Sequence, residues 1–205
     1  MNNRYSLVLL SDMIEELGEE ETKKLLSEFS CPKNKDVETF LKSKAILMSK
    51  AGIAQTHLVF MKKDGKLCLV GYFALALKSF EIDFTGRNLN NKMRSKLHRF
   101  AVYDKETKVN RMSAILIGQL GKNFFNDYNK LIKGKDLLDM ACMQVKEVQK
   151  IAGGKFVYLE CEDKPKLTLF YQANGFINFG KRNLDRDEKD DFSGRYLLQM
   201  IKHLK

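Results

Sequence analysis

Between Gly134 and Ile151 the apolar positions Leu137, Leu138, Ala141, Val145 and Val148 fall on one side of a helical repeat, and Gly153-Gly154 supplies the stop. A second stripe, Val37, Phe40, Leu41, Ile46 and Leu47, predicts a helix over Lys35 to Ser49. Asp36 near its start suits the positive end of the helix dipole. Glu15 to Phe29 is rich in Glu, Lys and Leu, with Leu17, Leu25 and Leu26 at helical spacing; it is either a helix or a charged surface segment. The period changes at Thr56, where alternation up to Met61 predicts a strand. Lys63-Asp64-Gly65-Lys66 is a hairpin turn, because Gly adopts positive φ at little cost. Leu67 to Leu77 is apolar on both faces, as a strand in the middle of a covered sheet must be. Ser113 to Leu120 and Phe156 to Cys161 predict two more strands. Pro165 to Asn174 predicts a short helix, with Pro165 in its first turn and Gly175 at its stop. Phe176 to Lys181 and Tyr196 to Ile201 predict closing strands around a charged loop, Asp185 to Gly194.

Strands and helices in this mixed order predict an α/β or α+β sandwich, with helices covering a sheet. A length of 205 residues suits one domain, and with only 2 prolines there is no linker-like stretch. The net charge of +10, from 36 Lys and Arg against 26 Asp and Glu, favours polyanionic partners without choosing among them. Cys31, Cys68, Cys142 and Cys161 form no C-x-x-C pair, and His is limited to His57, His98 and His203. That argues against a structural zinc site and for no metal. Cys68 and Cys161 lie in apolar runs and are expected to be buried as small hydrophobes. No apolar run is long enough to span a membrane, and Met1 to Leu10 does not form a secretory signal. A reducing, cytoplasmic setting is therefore expected.

Two stretches carry candidate chemistry. Between the strand ending at Leu120 and the helix starting at Gly134, Lys122, Lys130, Lys133 and Lys135 surround a helix N-terminus. Free backbone N–H groups and the helix dipole attract phosphate there. From Thr85 to Arg111 the chain is polar and basic, with Arg87, Lys92, Arg94, Lys96, His98, Arg99, Lys105, Lys108 and Arg111. Met93, Leu97 and Phe100 give part of that stretch one apolar helical face.

Four further stretches, in order, resemble the GNAT N-acetyltransferases, and within them the branch of TacT-type toxins that acetylate aminoacyl-tRNA. They are Phe29-Ser30-Cys31 with Phe40-Leu41 and Ala45; Val70-Gly71-Tyr72-Phe73-Ala74-Leu75; Ile115 to Gly121; and Leu169-Phe170-Tyr171 to Gly175-Phe176. The resemblance implies one GNAT domain over residues 1–205. Its fold would be a central mixed, mostly antiparallel sheet, splayed between its fourth and fifth strands and flanked by helices. It implies acetyl-CoA as cofactor, with the pantetheine arm paired to Leu120, Gly121 and Lys122. The pyrophosphate would lie in Asn129, Lys130, Leu131, Ile132, Lys133 and Gly134, with Lys135 just beyond and Phe170 near the cofactor. This loop departs from the family's Q/R-x-x-G-x-G/A pattern, since Ile132 stands where the first Gly is expected and Asn129 stands for Gln or Arg.

The resemblance makes Tyr171 the candidate general acid, because a hydroxyl near pKa 10 is a workable proton source for a leaving thiolate. Glu160, on the strand after the long helix, is the candidate base. The resemblance implies a primary amine as the acceptor. The aminoacyl-tRNA reading assigns Arg87, Lys92, Arg94, Lys96 and Arg99 to tRNA phosphates and brings a small antitoxin protein and a homodimer as possible partners. The alternatives are a small-molecule or protein amine, with the Thr85 to Arg111 insertion shaping the pocket, and a catalytically degenerate acetyl-CoA-binding module.

Overall fold

The computed structural model describes residues 4–84, 89–186 and 194–204. The chain divides into two compact units, Met1–Ala76 with Ile117–Met143, and Leu77–Leu116 with Gln144–Lys205. The divisions fall inside two strands and one helix rather than in linkers, as the scarcity of proline requires.

In the first unit β1 (Tyr5–Leu9) pairs antiparallel with β2 (Gln55–Lys63), and β2 pairs antiparallel with β3 (Lys66–Ile82). The β2–β3 turn has Asp64 at φ 50 and Gly65 at φ 80, the two positive values that a tight two-residue hairpin demands. The strand order is β1-β2-β3-β5, where β5 is Val109–Lys122. The Glu15 to Phe29 segment is helical and is cut by Gly18, at φ 81, into α1 (Leu10–Leu17) and α2 (Glu19–Ser27). The second helix expected from the sequence is present but interrupted. It runs as α3 (Lys35–Thr39), a π-helical turn (Phe40–Lys44) and α4 (Ala45–Lys50). The predicted stripe holds over its first part and fails at its end: Val37 and Leu41 are buried, Phe40 and Ile46 pack against them, Leu47 is exposed, and Ala45 is buried instead.

The core of this unit is closed by Leu10, Leu26, Phe29, Leu41, Leu58 and Tyr72. The Tyr72 hydroxyl donates to the Val37 carbonyl at 2.5 Å, and its ring meets Phe29 edge-on and Phe40 face to face. Burial and the nearby Asp36 charge push the Tyr72 pKa well above 10, so the proton stays on as donor.

Two glycines let the elements approach. A Cβ on Gly71 would lie 2.7 Å from the Gly121 carbonyl oxygen and 3.3 Å from Leu137 at the start of α6 (Gly134–Ala152). A Cβ on Gly121 would lie 2.4 Å from Val37 Cγ1, with Phe29 and Tyr72 next nearest. Since side chains alternate along a strand, Leu137 touches the face at Gly71, while Val37 and α3 touch the face of Tyr72. Within this unit the start of α6 and the start of α3 therefore cover opposite faces of β3.

The second unit contains the end of β3, α5 (Asn91–His98), β4 (Val102–Asp104), the start of β5, the end of α6, β6 (Phe156–Cys161), α7 (Pro165–Ala173), β7 (Ile177–Asn183) and β8 (Tyr196–His203). Its strand order is β3-β5-β6-β8-β7, with β4 on β5. β6 and β7 both pair antiparallel with β8. Phe80, Leu97, Phe156, Tyr158 and Ile201 centre its core. The predicted apolar face of α5 turns inward: Leu97 is buried, Met93 packs beside it, and Phe100 meets Phe156 edge-on at 5.5 Å. Cys68 and Cys161 are buried free thiols, as expected.

The fold is thus mixed α/β, with eight strands in a mostly antiparallel sheet and helices covering it. β1, β4 and the outer thirds of β3 and β5 are additions to the elements expected from the sequence. Among the described residues no helix is long and apolar enough to cross a membrane.

Gly71→Ala is expected to destabilise the protein by about 1–3 kcal/mol, read from the urea midpoint, because backbone rather than a movable side chain stands in the way. A second expectation concerns Glu38, whose carboxylate accepts from the Cys31 N–H at 2.8 Å and faces Lys42 and Lys35. That hydrogen bond, with the two lysines, lowers its pKa from 4.5 to about 2. The stability it contributes is complete above the ordinary carboxylate range. It should fall as pH drops from 4.5 toward 2, and Glu38→Gln should flatten that part of the stability–pH curve.

Candidate active site

Each unit contributes one part of the predicted chemistry. In the first, β5 ends at Lys122 and the chain turns through a 3-10 segment (Phe125–Lys130) before α6. Asn126 (φ 47) and Asp127 (φ 60) are left-handed, which lets this longer loop reverse. Ile132 is buried and needs no positive φ, so the loop is built without the expected glycine.

Four carbonyls between Asn129 and Lys133 find donors within this unit. Lys122 Nζ donates to the Asn129 carbonyl at 2.8 Å and to the Ile132 carbonyl at 3.3 Å. The Tyr5 hydroxyl donates to the Leu131 carbonyl at 3.0 Å, and the Lys133 carbonyl accepts from the Leu137 N–H at 3.2 Å. The Leu131 N–H donates to the Tyr128 carbonyl at 3.0 Å, so the N–H groups that a helix mouth offers an outside acceptor here are those of the first turn of α6, Gly134 to Asp136, which precede its first intrahelical bond. Lys122 is half-buried, and desolvation, then Lys33, lowers its pKa. Its role is to close the loop from within. Lys130 and Lys135 are exposed, paired with Asp127 and Asp139 respectively, and Lys133 is exposed at the helix mouth. Gly134 opens α6. Leu120, Gly121 and Lys122 are the last residues of β5 and so directly adjoin this loop.

The second unit holds the two predicted catalytic side chains in different clusters. Tyr171, on α7, is buried, and its ring is flanked by Phe170 at 5.2 Å and Phe176 at 5.8 Å, neither of which offers an acceptor. Burial, then Cys161, raises its pKa above the tyrosine range, so its proton is retained at neutral pH. Cys161 is itself pushed up to about 12 by burial.

Glu160 is committed elsewhere. Arg182 donates from Nε to Oε1 at 2.7 Å and from Nη2 to Oε2 at 2.6 Å. Tyr158 donates its hydroxyl to Oε1 at 2.5 Å and in turn accepts from Gln199 Nε2 at 3.0 Å. A carboxylate held by a bidentate guanidinium and a phenol is an anchor, and taking a proton would break the pairing. The sequence-based assignment of Glu160 as base is therefore not retained. Arg182, Tyr158 and Gln199 escaped sequence reasoning because nothing in their spacing announces a network that β6, β7 and β8 assemble. Glu160, Arg182 and Gln199 of this network line a cavity of about 1090 Å³, together with Phe80, Phe179 and Tyr196.

Of the residues assigned to a nucleic-acid surface, Arg87 lies outside the described residues. Lys92, Lys96 and Arg99 share one face of α5 at helical spacing and reach solvent. Arg94 does not join them, because its guanidinium donates to the Leu89 carbonyl at 3.2 Å and braces the start of the helix.

No protein-family model and no curated protein matches the chain. Solved structures do. A Tyr→Phe mutant of KacT superposes with a TM-score of 0.60 at 15% identity, covering 96% of this chain and 94% of that one. AtaT complexed with acetyl-methionyl-tRNAfMet gives 0.61 at 16% identity, covering 95% and 93%. AtaTR bound with AcCoA gives 0.53 at 13%, covering 96% and 92%. Likeness at this identity, over nearly the whole of each chain, shows a shared fold.

Arg182→Met is expected to cost about 3 kcal/mol by stranding the Glu160 carboxylate, and Glu160→Gln in the same chain should recover part of it. Urea denaturation of the two single variants and the double variant measures both effects.

Proposed function

We propose that the chain is an acetyl-CoA-dependent N-acetyltransferase whose acceptor is a primary amine, the amino group of an aminoacyl-tRNA. The observation that carries this is the loop before α6, whose carbonyls at Asn129, Leu131, Ile132 and Lys133 all accept from donors inside the unit. With its carbonyls so held, the loop delivers the chain to the first turn of α6, whose N–H groups at Gly134 to Asp136 precede the first intrahelical bond and are a donor set suited to a pyrophosphate. Leu120, Gly121 and Lys122 would pair with the pantetheine arm, and Asn129 to Lys135 would hold the pyrophosphate, with Lys133 adding charge. Acetyl-CoA supplies the acetyl group as a thioester. The acceptor nitrogen, as the free amine, bonds to the acetyl carbon while the C–S bond breaks. Tyr171, which keeps its phenolic proton because it is buried, donates it to the departing sulfur, and the proton shed by the new amide nitrogen restores the phenol.

The choice of acceptor is supported by the neighbours and by α5. AtaT has been solved with acetyl-methionyl-tRNAfMet and with the C-terminus of the antitoxin AtaR. Lys92, Lys96 and Arg99 form a cationic stripe suited to phosphates. A small antitoxin partner and a cytoplasmic setting belong to the same reading. A second reading, transfer to a small-molecule or protein amine, rests on the Thr85 to Arg111 insertion, whose helix α5 covers part of the second unit's core.

Radiolabelled acetyl-CoA supplied with bulk aminoacyl-tRNA is expected to transfer label to the charged tRNA. Tyr171→Phe should lower that rate by about 100-fold or more while leaving acetyl-CoA affinity within a few-fold. Label on polyamines or peptides but not on tRNA would select the second reading.

A further inference from the structure

With Glu160 bound to Arg182, the acceptor amine needs another anion. The first unit offers one. Asp36, in the first turn of α3, accepts at Oδ2 from Gln119 Nε2 at 2.8 Å. Gln119 is the residue before Leu120 on β5 and lies two residues from Gly121. A Cβ on Gly121 would run into Val37, the residue after Asp36. Alternation along the strand puts Gln119 and Gly121 on one face, so the hydrogen bond and the close packing are two independent signs of one seating.

The seat is on the α3 face, and α6 with its phosphate-type loop packs on the other face at Gly71. Asp36 is half-buried, its side-chain partner is a neutral amide, and among the described residues no lysine or arginine pairs with it. Glu160 is held by a guanidinium and a phenol, whereas the Asp36 carboxylate accepts from one amide and has acceptor capacity left over.

We propose that Asp36 receives the ammonium group of the acceptor, so that the substrates of this site are cationic primary amines approaching from the α3 face of β5. Gln119 aims the carboxylate. The assignment rests on the acetyltransferase reading above, which places the thioester along Leu120 to Lys122. It adds the group that recognises the acceptor before transfer. An N-acylated or otherwise neutral nitrogen has no charge to offer Asp36, so the acetylated product is released rather than held.

The test compares the full-length chain with Asp36→Asn, which keeps an oxygen for Gln119 but removes the charge, and with Asp36→Glu, which restores it. Steady-state transfer is measured with bulk aminoacyl-tRNA and, separately, with spermidine. Acetyl-CoA affinity is taken by calorimetry, and melting temperature is recorded for each chain. In Asp36→Asn the acceptor KM should rise about tenfold or more, with acetyl-CoA affinity and melting temperature unchanged. Asp36→Glu should recover most of that rise. An acceptor KM within twofold of wild type, an equal loss in both variants, or a parallel loss of acetyl-CoA affinity would overturn the assignment. Wild-type transfer to spermidine but not to tRNA would sink the tRNA reading alone and leave Asp36 to be judged on the spermidine series. A wild-type chain active on neither amine overturns both.

Discussion

The close approach of β3 and β5 at Gly71 and Gly121 is the constraint on which the first unit depends. A backbone oxygen occupies the place of one missing Cβ, and Val37 occupies the place of the other. Only glycine permits both contacts, since any larger residue must push backbone or a packed side chain aside. Seating Val37 there fixes α3, and the Tyr72 hydroxyl locks it by satisfying the Val37 carbonyl. The same approach brings Leu137 onto the opposite face and so sets the start of α6. One small void in two strands thus orders a helix on each side of the sheet.

That arrangement explains why Lys122 does not behave as the sequence proposes for a phosphate-loop lysine. It lies one residue beyond Gly121, where the strand is tightly covered, and desolvation disfavours its charge. Carbonyl oxygens are the ligands that offset this cost, and the turn supplies two of them. The lysine thereby holds the Asn129 and Ile132 carbonyls and shapes the turn from within. At the helix mouth Lys133 is exposed, whereas Lys130 and Lys135 are paired with neighbouring carboxylates.

Much of the fold was legible because its signals are local. Hydrophobic period and turn residues marked β2, the central part of β3, α6, β6, α7 and the closing pair, and Met93, Leu97 and Phe100 marked the inner face of α5. β1 was missed because its five residues, four half-buried and one exposed, carry little pattern, and β4 because three residues carry none. The π-helical turn at Phe40 to Lys44 leaves the apolar stripe readable as one helix, so its change of winding is invisible in the sequence. The loop before α6 was legible as a loop because it consists of consecutive residues, from Asn129 to Gly134. The candidate site was illegible where distant side chains meet. Asp36 and Gln119 are 83 positions apart, and Glu160 and Arg182 are 22 apart. No spacing rule joins either pair; only the pairing of strands and the seating of α3 do.

The two carboxylates show how environment assigns different roles to one functional group. Glu160 meets a guanidinium in bidentate geometry together with a phenol, and its charge is neutralised where it stands. Asp36 meets an amide, which orients a carboxylate without neutralising it. Opposite charges at contact distance in a partly buried site interact by several kcal/mol, whereas an amide dipole contributes roughly one. A cationic ligand therefore gains little from Glu160, whose partner it would have to displace. It gains the full attraction of Asp36, whose partner it can leave in place. Proximity in sequence to the expected cofactor strand pointed to Glu160, but the partner each carboxylate already holds decides which one has charge left for an incoming amine.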